Sequence, residues 1–207
     1  MAAVTLKRPA RSQTPRNLRH TRIPTLVFQS ARDVSQHVAL VVESLIRENN
    51  SAGNATVLGL PTGSTPIGVY RELIRLHREE DLDFSRVITF NLDEYFPIDH
   101  GSIHSYNRWM RETFFNHVNI PEENIHIPRG DLPRAKVDAF CDEYERLIEK
   151  AGGVDVQLLG IGRTGHIGFN EPGSPRDSAT RLVTLDPVTR RDAASDFFGE
   201  ENVPLRA

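Results

Sequence analysis

The stretch Ala55-Thr56-Val57-Leu58-Gly59-Leu60-Pro61-Thr62-Gly63-Ser64-Thr65-Pro66 decides the fold. Its first half is a continuous, mostly apolar run, the mark of a strand buried on both faces. Its second half is a polar loop, and Pro66 is placed to open a helix. Val69, Leu73 and Leu76 then recur at helical spacing. A buried strand, a short loop and an amphipathic helix form the first half of a βαβ unit.

The same alternation extends in both directions. Upstream, Thr25 to Phe28 is strand-like, Ser30 is a helix N-cap, and Val34, Val38, Val41 and Leu45 form an apolar stripe that stops at Asn49 to Asn54. Downstream, Val87 to Leu92 reads as a strand. The pattern then predicts a helix over Ser102 to His117, with Trp109 and Phe114 inward, and a short strand at Ile125 to Ile127. Ala135 to Lys150 reads as a helix, Val154 to Leu159 as a strand, and Arg181 to Leu185 as a further strand. Asp186 and Pro187 open a last helix. Strands alternating with helices predict an α/β layered domain, a largely parallel sheet flanked by helices. Loops at the carboxyl ends of such strands are where ligands bind.

Composition narrows the function classes. Hydrophobic residues make up 38% of the 207, enough for a sizeable core, and charged residues 26%. No apolar run approaches the roughly 18 residues of a membrane span. A single cysteine, Cys141, excludes an internal disulfide and a multi-cysteine metal cage and suits a reducing cytoplasm. Residues 1–32 hold seven basic residues and no acid, so the other 18 basic residues face all 28 acids. Residues 1–24 therefore read as a basic, flexible extension and 25–207 as the domain. The acidic body argues against nucleic acid as a partner.

Three polar loops carry the chemistry. In the first, Gly63 lets the backbone approach a ligand, Ser64 and Thr65 add hydroxyls, and the helix that follows aims free N–H groups outward. That describes a small-anion cradle or a plain helix cap; the Walker pattern is absent. The second, Asn91-Leu92-Asp93-Glu94-Tyr95, offers a carboxylate as catalytic base or a solvated strand end. Neighbours on extended chain point opposite ways, so one of the two acids faces the site. The third, residues 160–173, holds five glycines, with His166 and Glu171 spaced as an acid–base couple or as a structural pair. Gly160-Ile161-Gly162-Arg163-Thr164-Gly165 formally matches a dinucleotide fingerprint, but Pro172 and Gly173 leave no room for its helix.

Together, Leu58 to Pro66, Phe90 to Tyr95 and Gly160 to Pro172 resemble the glucosamine-6-phosphate deaminase family, in order and at similar spacing. The resemblance implies a modified Rossmann-like fold without metal or cofactor. It implies conversion of glucosamine 6-phosphate and water to fructose 6-phosphate and ammonia in amino-sugar catabolism. Asp93 then matches the base that moves the C2 proton, with Glu94 pointing away. His166 matches the imidazole that opens the sugar ring, and Glu171 its carboxylate partner. Gly63, Ser64 and Thr65 match the phosphate loop. Some members are hexamers, so the resemblance also implies a homo-oligomer.

The departures are specific. Where the family has an aspartate two residues before the histidine, this chain has Thr164, which hydrogen-bonds but carries no charge. Where the family has a phosphate-gripping arginine before a Phe-Phe pair, Asp196 precedes Phe197 and Phe198, and Arg190 and Arg191 lie earlier. Family members continue beyond the equivalent of Ala207, so the domain reads as incomplete there. A 6-phosphogluconolactonase-like enzyme and a non-catalytic sugar-phosphate binder are the competing readings.

Overall fold

The computed structural model describes residues 15–18 and 21–207. Lys7, Arg8, Arg11 and Arg19 of the basic segment lie outside them. Strands β1 (Arg16–Leu18) and β2 (Thr25–Val27) pair antiparallel. Residue 24, the expected end of the basic extension, lies between these two paired strands.

The main sheet has four parallel strands in the order β5-β4-β3-β6: β3 (Thr56–Leu60), β4 (Val87–Asn91), β5 (Ile125–His126) and β6 (Val156–Gln157). All five residues of β3 are buried, as its central place requires. Alternation along the strands sends Leu58, Leu60 and Val87 to one face and Val57 and Phe90 to the other. The first face packs on α1 (Ala31–Ala52) and α2 (Ile67–Glu79) through Ala39, Val42, Ile46, Tyr70, Leu73 and Leu76. The second packs on Tyr144 of α4 (Arg134–Lys150). Ser30 caps α1 by accepting from Asp33 N at 3.2 Å, and Gly53, at φ +77°, ends it. No helix among the described residues is long and apolar enough to cross a membrane.

Three expected elements differ. The helix expected over Ser102 to His117 is only α3 (Tyr106–Thr113), because Ser105 is its cap; a separate 3-10 turn covers Phe115–His117. Phe114 is buried as expected, while Trp109 is only partly so. The strand expected over 154–159 shrinks to two residues, since the Asp155 carboxylate accepts from Val57 N at 2.8 Å in place of a ladder bond. Arg181 to Leu185 does not join the sheet. Val183 and Leu185 donate to the carbonyls of Ala207 and Leu205, at 2.9 and 3.0 Å, in a short antiparallel contact. The last helix is α5 (Pro187–Ala193), capped by Asp186 as its sequence suggests.

Gly130 positions the turn that follows β4. Its carbonyl accepts from Ile98 N at 2.8 Å, and a Cβ there would collide with the Tyr95 carbonyl and the Ile98 side chain. Backbone cannot step aside as a side-chain tip can. Gly130→Ala is therefore expected to destabilise the protein by about 1–3 kcal/mol, read as a lowered thermal midpoint. A midpoint equal to wild type would show that this turn tolerates displacement.

Candidate active site

Parallel pairing places Leu60 beside Asn91 and Gly59 beside Gln157. The three polar loops consequently leave the same end of the sheet. In the first loop Gly63 adopts φ +98°, and Gly63, Ser64 and Thr65 are exposed. Among the described residues, Ser64 and Thr65 make no side-chain hydrogen bond, so their hydroxyls are free for a ligand. Pro66 precedes α2 without a side-chain cap, leaving the helix's first N–H groups open.

Asp93 is half-buried at the end of the second loop. Burial, and secondarily the Glu94 carboxylate, push its carboxyl from 3.8 up to about 7. Four tyrosines on different parts of the fold feel its charge: Tyr70 of α2, Tyr95, Tyr106 of α3 and Tyr144 of α4. Burial raises all four phenols, Tyr95 to about 12, so they stay neutral beside it. The third loop closes over Asp93 at Gly168, where a Cβ would sit 3.4 Å from Asp93 Oδ2.

Glu94 corrects an expectation. It is neither solvated nor idle. It is 5% exposed and accepts hydrogen bonds from Tyr95 N, Ser105 Oγ, Tyr106 N and Asn107 N. The sequence showed two adjacent acids and no sign that the second would be buried. Its signal lay eleven residues on, in the helix cap Ser105.

His166 and Glu171 do come together, with Nδ1 and Oε2 3.4 Å apart. Thr164 stands between them: its Oγ1 is 2.7 Å from His166 Nδ1 and 3.4 Å from Glu171 Oε2. Thr189 of α5 approaches the same ring nitrogen at 3.3 Å, a partner that sequence reasoning missed. Glu171 Oε1 accepts from Asp186 N at 3.1 Å, which fixes the carboxylate. The other edge of the imidazole lies against Gly162, where any Cβ would strike the ring. No helix follows this loop before α5, as Pro172 and Gly173 foretold.

Arg190 and Arg191, the arginines nearest the Phe-Phe pair in the sequence, are engaged elsewhere. Arg190 donates to the carbonyls of Glu200 and Val203 at 2.9 and 3.2 Å. Arg191 lies 4.0 Å from Glu200. The carbonyl of Asp196 accepts from His104 at 2.6 Å.

Comparison with known proteins places the chain in a family. Residues 29–191 match the family described as glucosamine-6-phosphate isomerases/6-phosphogluconolactonase. A curated relative, glucosamine-6-phosphate deaminase 2 of Bacillus subtilis, is 49% identical over 160 residues, covering 77% of this chain and 63% of that protein. A solved structure described as a monomeric glucosamine-6-phosphate deaminase superposes with a TM-score of 0.81 at 42% identity, covering 86% of this chain and 71% of that one. A solved 6-phosphogluconolactonase from Plasmodium vivax is more distant, at 27% identity and a TM-score of 0.59, covering 69% of this chain and 49% of that one. The chain spans 28% to 63% of the length of the first four curated relatives it matches.

A carboxyl raised in the folded state binds its proton more tightly there than in the unfolded chain. Stability is then lost as pH rises from the unfolded value, 3.8, through about 7. Asp93→Asn removes that loss, and at pH 8 the thermal midpoint is expected to rise by more than about 3 °C. The gain should shrink as pH falls toward 4. A pH-independent difference would mean that Asp93 is not held in a charge-averse site.

Proposed function

The chain belongs to the glucosamine-6-phosphate isomerase/6-phosphogluconolactonase family, and on that premise we propose that the protein converts glucosamine 6-phosphate and water to fructose 6-phosphate and ammonia. The observation that carries this reading is the half-buried Asp93 carboxylate, which faces Gly168 of the loop that bears the His166–Thr164–Glu171 cluster. Proton transfer next to a carbonyl needs a carboxylate whose proton affinity is close to the working pH.

On this reading His166 moves a proton between the anomeric hydroxyl and the ring oxygen, and the pyranose opens to the aldehyde. Asp93 takes the proton from C2 and returns it to C1. The carbonyl oxygen takes the proton that the C2 amine gives up, so the aldehyde becomes a primary alcohol and the amine an imine. Water adds to C2 and ammonia leaves, so the ketose carries the water oxygen. Ser64, Thr65 and the N–H groups of α2 hold the phosphate. The phenols around Asp93 exclude water from the proton transfer without competing for the proton. Thr164 links the imidazole to Glu171 when Nδ1–H donates to Oγ1 and the hydroxyl donates on to the carboxylate. The solved deaminase relative is monomeric by its own description.

The test is ammonia released from glucosamine 6-phosphate by the longest form of the protein. Asp93→Asn should lower kcat on the order of 10²–10⁴-fold with KM little changed. In wild type, kcat should fall as pH drops below about 7, because protonated Asp93 accepts nothing. Near-wild-type turnover in Asp93→Asn would overturn the assignment of the base.

Thr164 makes a second, separable prediction. A carboxylate there would stabilise the positive imidazolium formed during ring opening. Thr164→Asp should raise turnover on the cyclic substrate and leave an open-chain analogue unaffected. A neutral or harmful effect on the cyclic sugar would place ring opening outside this cluster.

A further inference from the structure

We infer that Glu94 is the positioning residue of the base: through donors from Tyr95 N, Ser105 Oγ, Tyr106 N and Asn107 N, its buried carboxylate fixes the peptide carrying Asp93 to the start of α3. The inference rests on the reading of Asp93 as the base. Glu94 Oε1 accepts from Tyr95 and Tyr106 at 2.9 and 3.0 Å, and Oε2 from Ser105 and Asn107 at 2.7 and 3.0 Å. A carboxylate offers about four lone-pair sites, and all are filled. A glutamine offers one acceptor oxygen and cannot reproduce the set.

The anchor reaches each part of the site. Tyr106, the first residue of α3, is held so that its hydroxyl meets Tyr95 OH at 3.3 Å and the Thr62 side chain of the first loop. Its ring stacks on Phe169 of the third loop, 6.0 Å between centroids and 9° between planes. Tyr95, next to Glu94, packs on the same Phe169 at 5.1 Å and on Phe197 at 4.8 Å. Loosening Glu94 therefore loosens the base, its phenol wall and the contact with both neighbouring loops.

Glu94 also acts on Asp93 through charge. Around Asp93 stand Glu94 and Tyr95 on its own segment, Tyr70 of α2, Tyr106 of α3, Tyr144 of α4 and the backbone at Gly168, and Arg129, Cys141, Glu145 and Arg181 line the cavity it shares. The four phenols are neutral, and Glu94 is the neighbouring charge that acts on Asp93. Its charge makes Asp93 hold a proton more tightly.

The experiment uses the full-length protein and compares wild type, Glu94→Gln, Glu94→Asp and Ser105→Ala. It measures ammonia release against pH and, independently of turnover, the Asp93 carboxyl by 13C NMR titration. Glu94→Gln should move the Asp93 midpoint downward, carry the acid limb of kcat with it and lower kcat about tenfold or more at constant KM. Glu94→Asp keeps the charge and loses the reach, so kcat should fall while the midpoint stays. An unmoved midpoint and wild-type kcat in a folded Glu94→Gln would overturn the inference, as would a loss confined to KM. If Glu94→Gln does not fold, Ser105→Ala decides: reduced kcat at constant KM supports positioning, and wild-type kcat refutes it. If wild type releases no ammonia, the assignment of the reaction fails, and the NMR midpoint in Glu94→Gln still decides whether Glu94 governs Asp93.

Discussion

The parallel register that sets Leu60 beside Asn91 is the constraint on which the rest depends. Only parallel neighbours end together at the same edge, and only then do successive crossovers deliver their loops to one place. Gly59 makes the second half of that arrangement possible. It lacks a side chain where Gln157 of β6 folds over the sheet. Three loops distant in sequence thereby share one rim, and no single helix or hairpin has to carry the site.

At that rim two neighbouring carboxylates meet opposite fates. Backbone alternation turns Glu94 into a cage of donors and leaves Asp93 among phenols and glycine backbone. Hydrogen bonds to an anion favour it, whereas burial without such bonds disfavours it. One peptide step thus yields a carboxylate held by four donors and, beside it, one whose carboxyl is pushed up to about 7. The second depends on the first, since Glu94 adds to the burial that raises its neighbour. The site costs stability at neutral and alkaline pH, as functional sites commonly do.

How much of this was legible depended on the range of the interaction. The fold was legible because it is written in local periodicity: the buried run 56–60, the stripe Val69, Leu73 and Leu76, the caps Ser30 and Asp186. His166 and Glu171 were legible because five residues of glycine-rich chain can bring them together. Glu94 was not, because its donors lie on the far side of a turn, and its burial depends on where α3 begins. The tyrosines around Asp93 come from four parts of the chain, and no spacing announces such a ring. The strand expected at 181–185 failed for a related reason. Its apolar pattern is real, but its partner is the segment 205–207 rather than the sheet.

The phosphate end follows from what the cations already do. Arg163 is paired with Asp192 at 2.7 Å, and Arg190 is spent on the carbonyls of Glu200 and Val203. Asp196 adds negative charge near Tyr95. Within these residues, the proposed cradle at Gly63, Ser64 and Thr65 therefore rests on neutral donors: main-chain N–H groups, two hydroxyls and the positive end of α2. Donors of that kind orient an anion well, because their directions are fixed by the backbone. They hold it less strongly than a guanidinium would, since charge-assisted bonds are roughly twice as strong as neutral ones. On the proposed reading this portion of the chain thus supplies direction for the sugar phosphate, while its proton chemistry sits with Asp93 and with the cluster around His166.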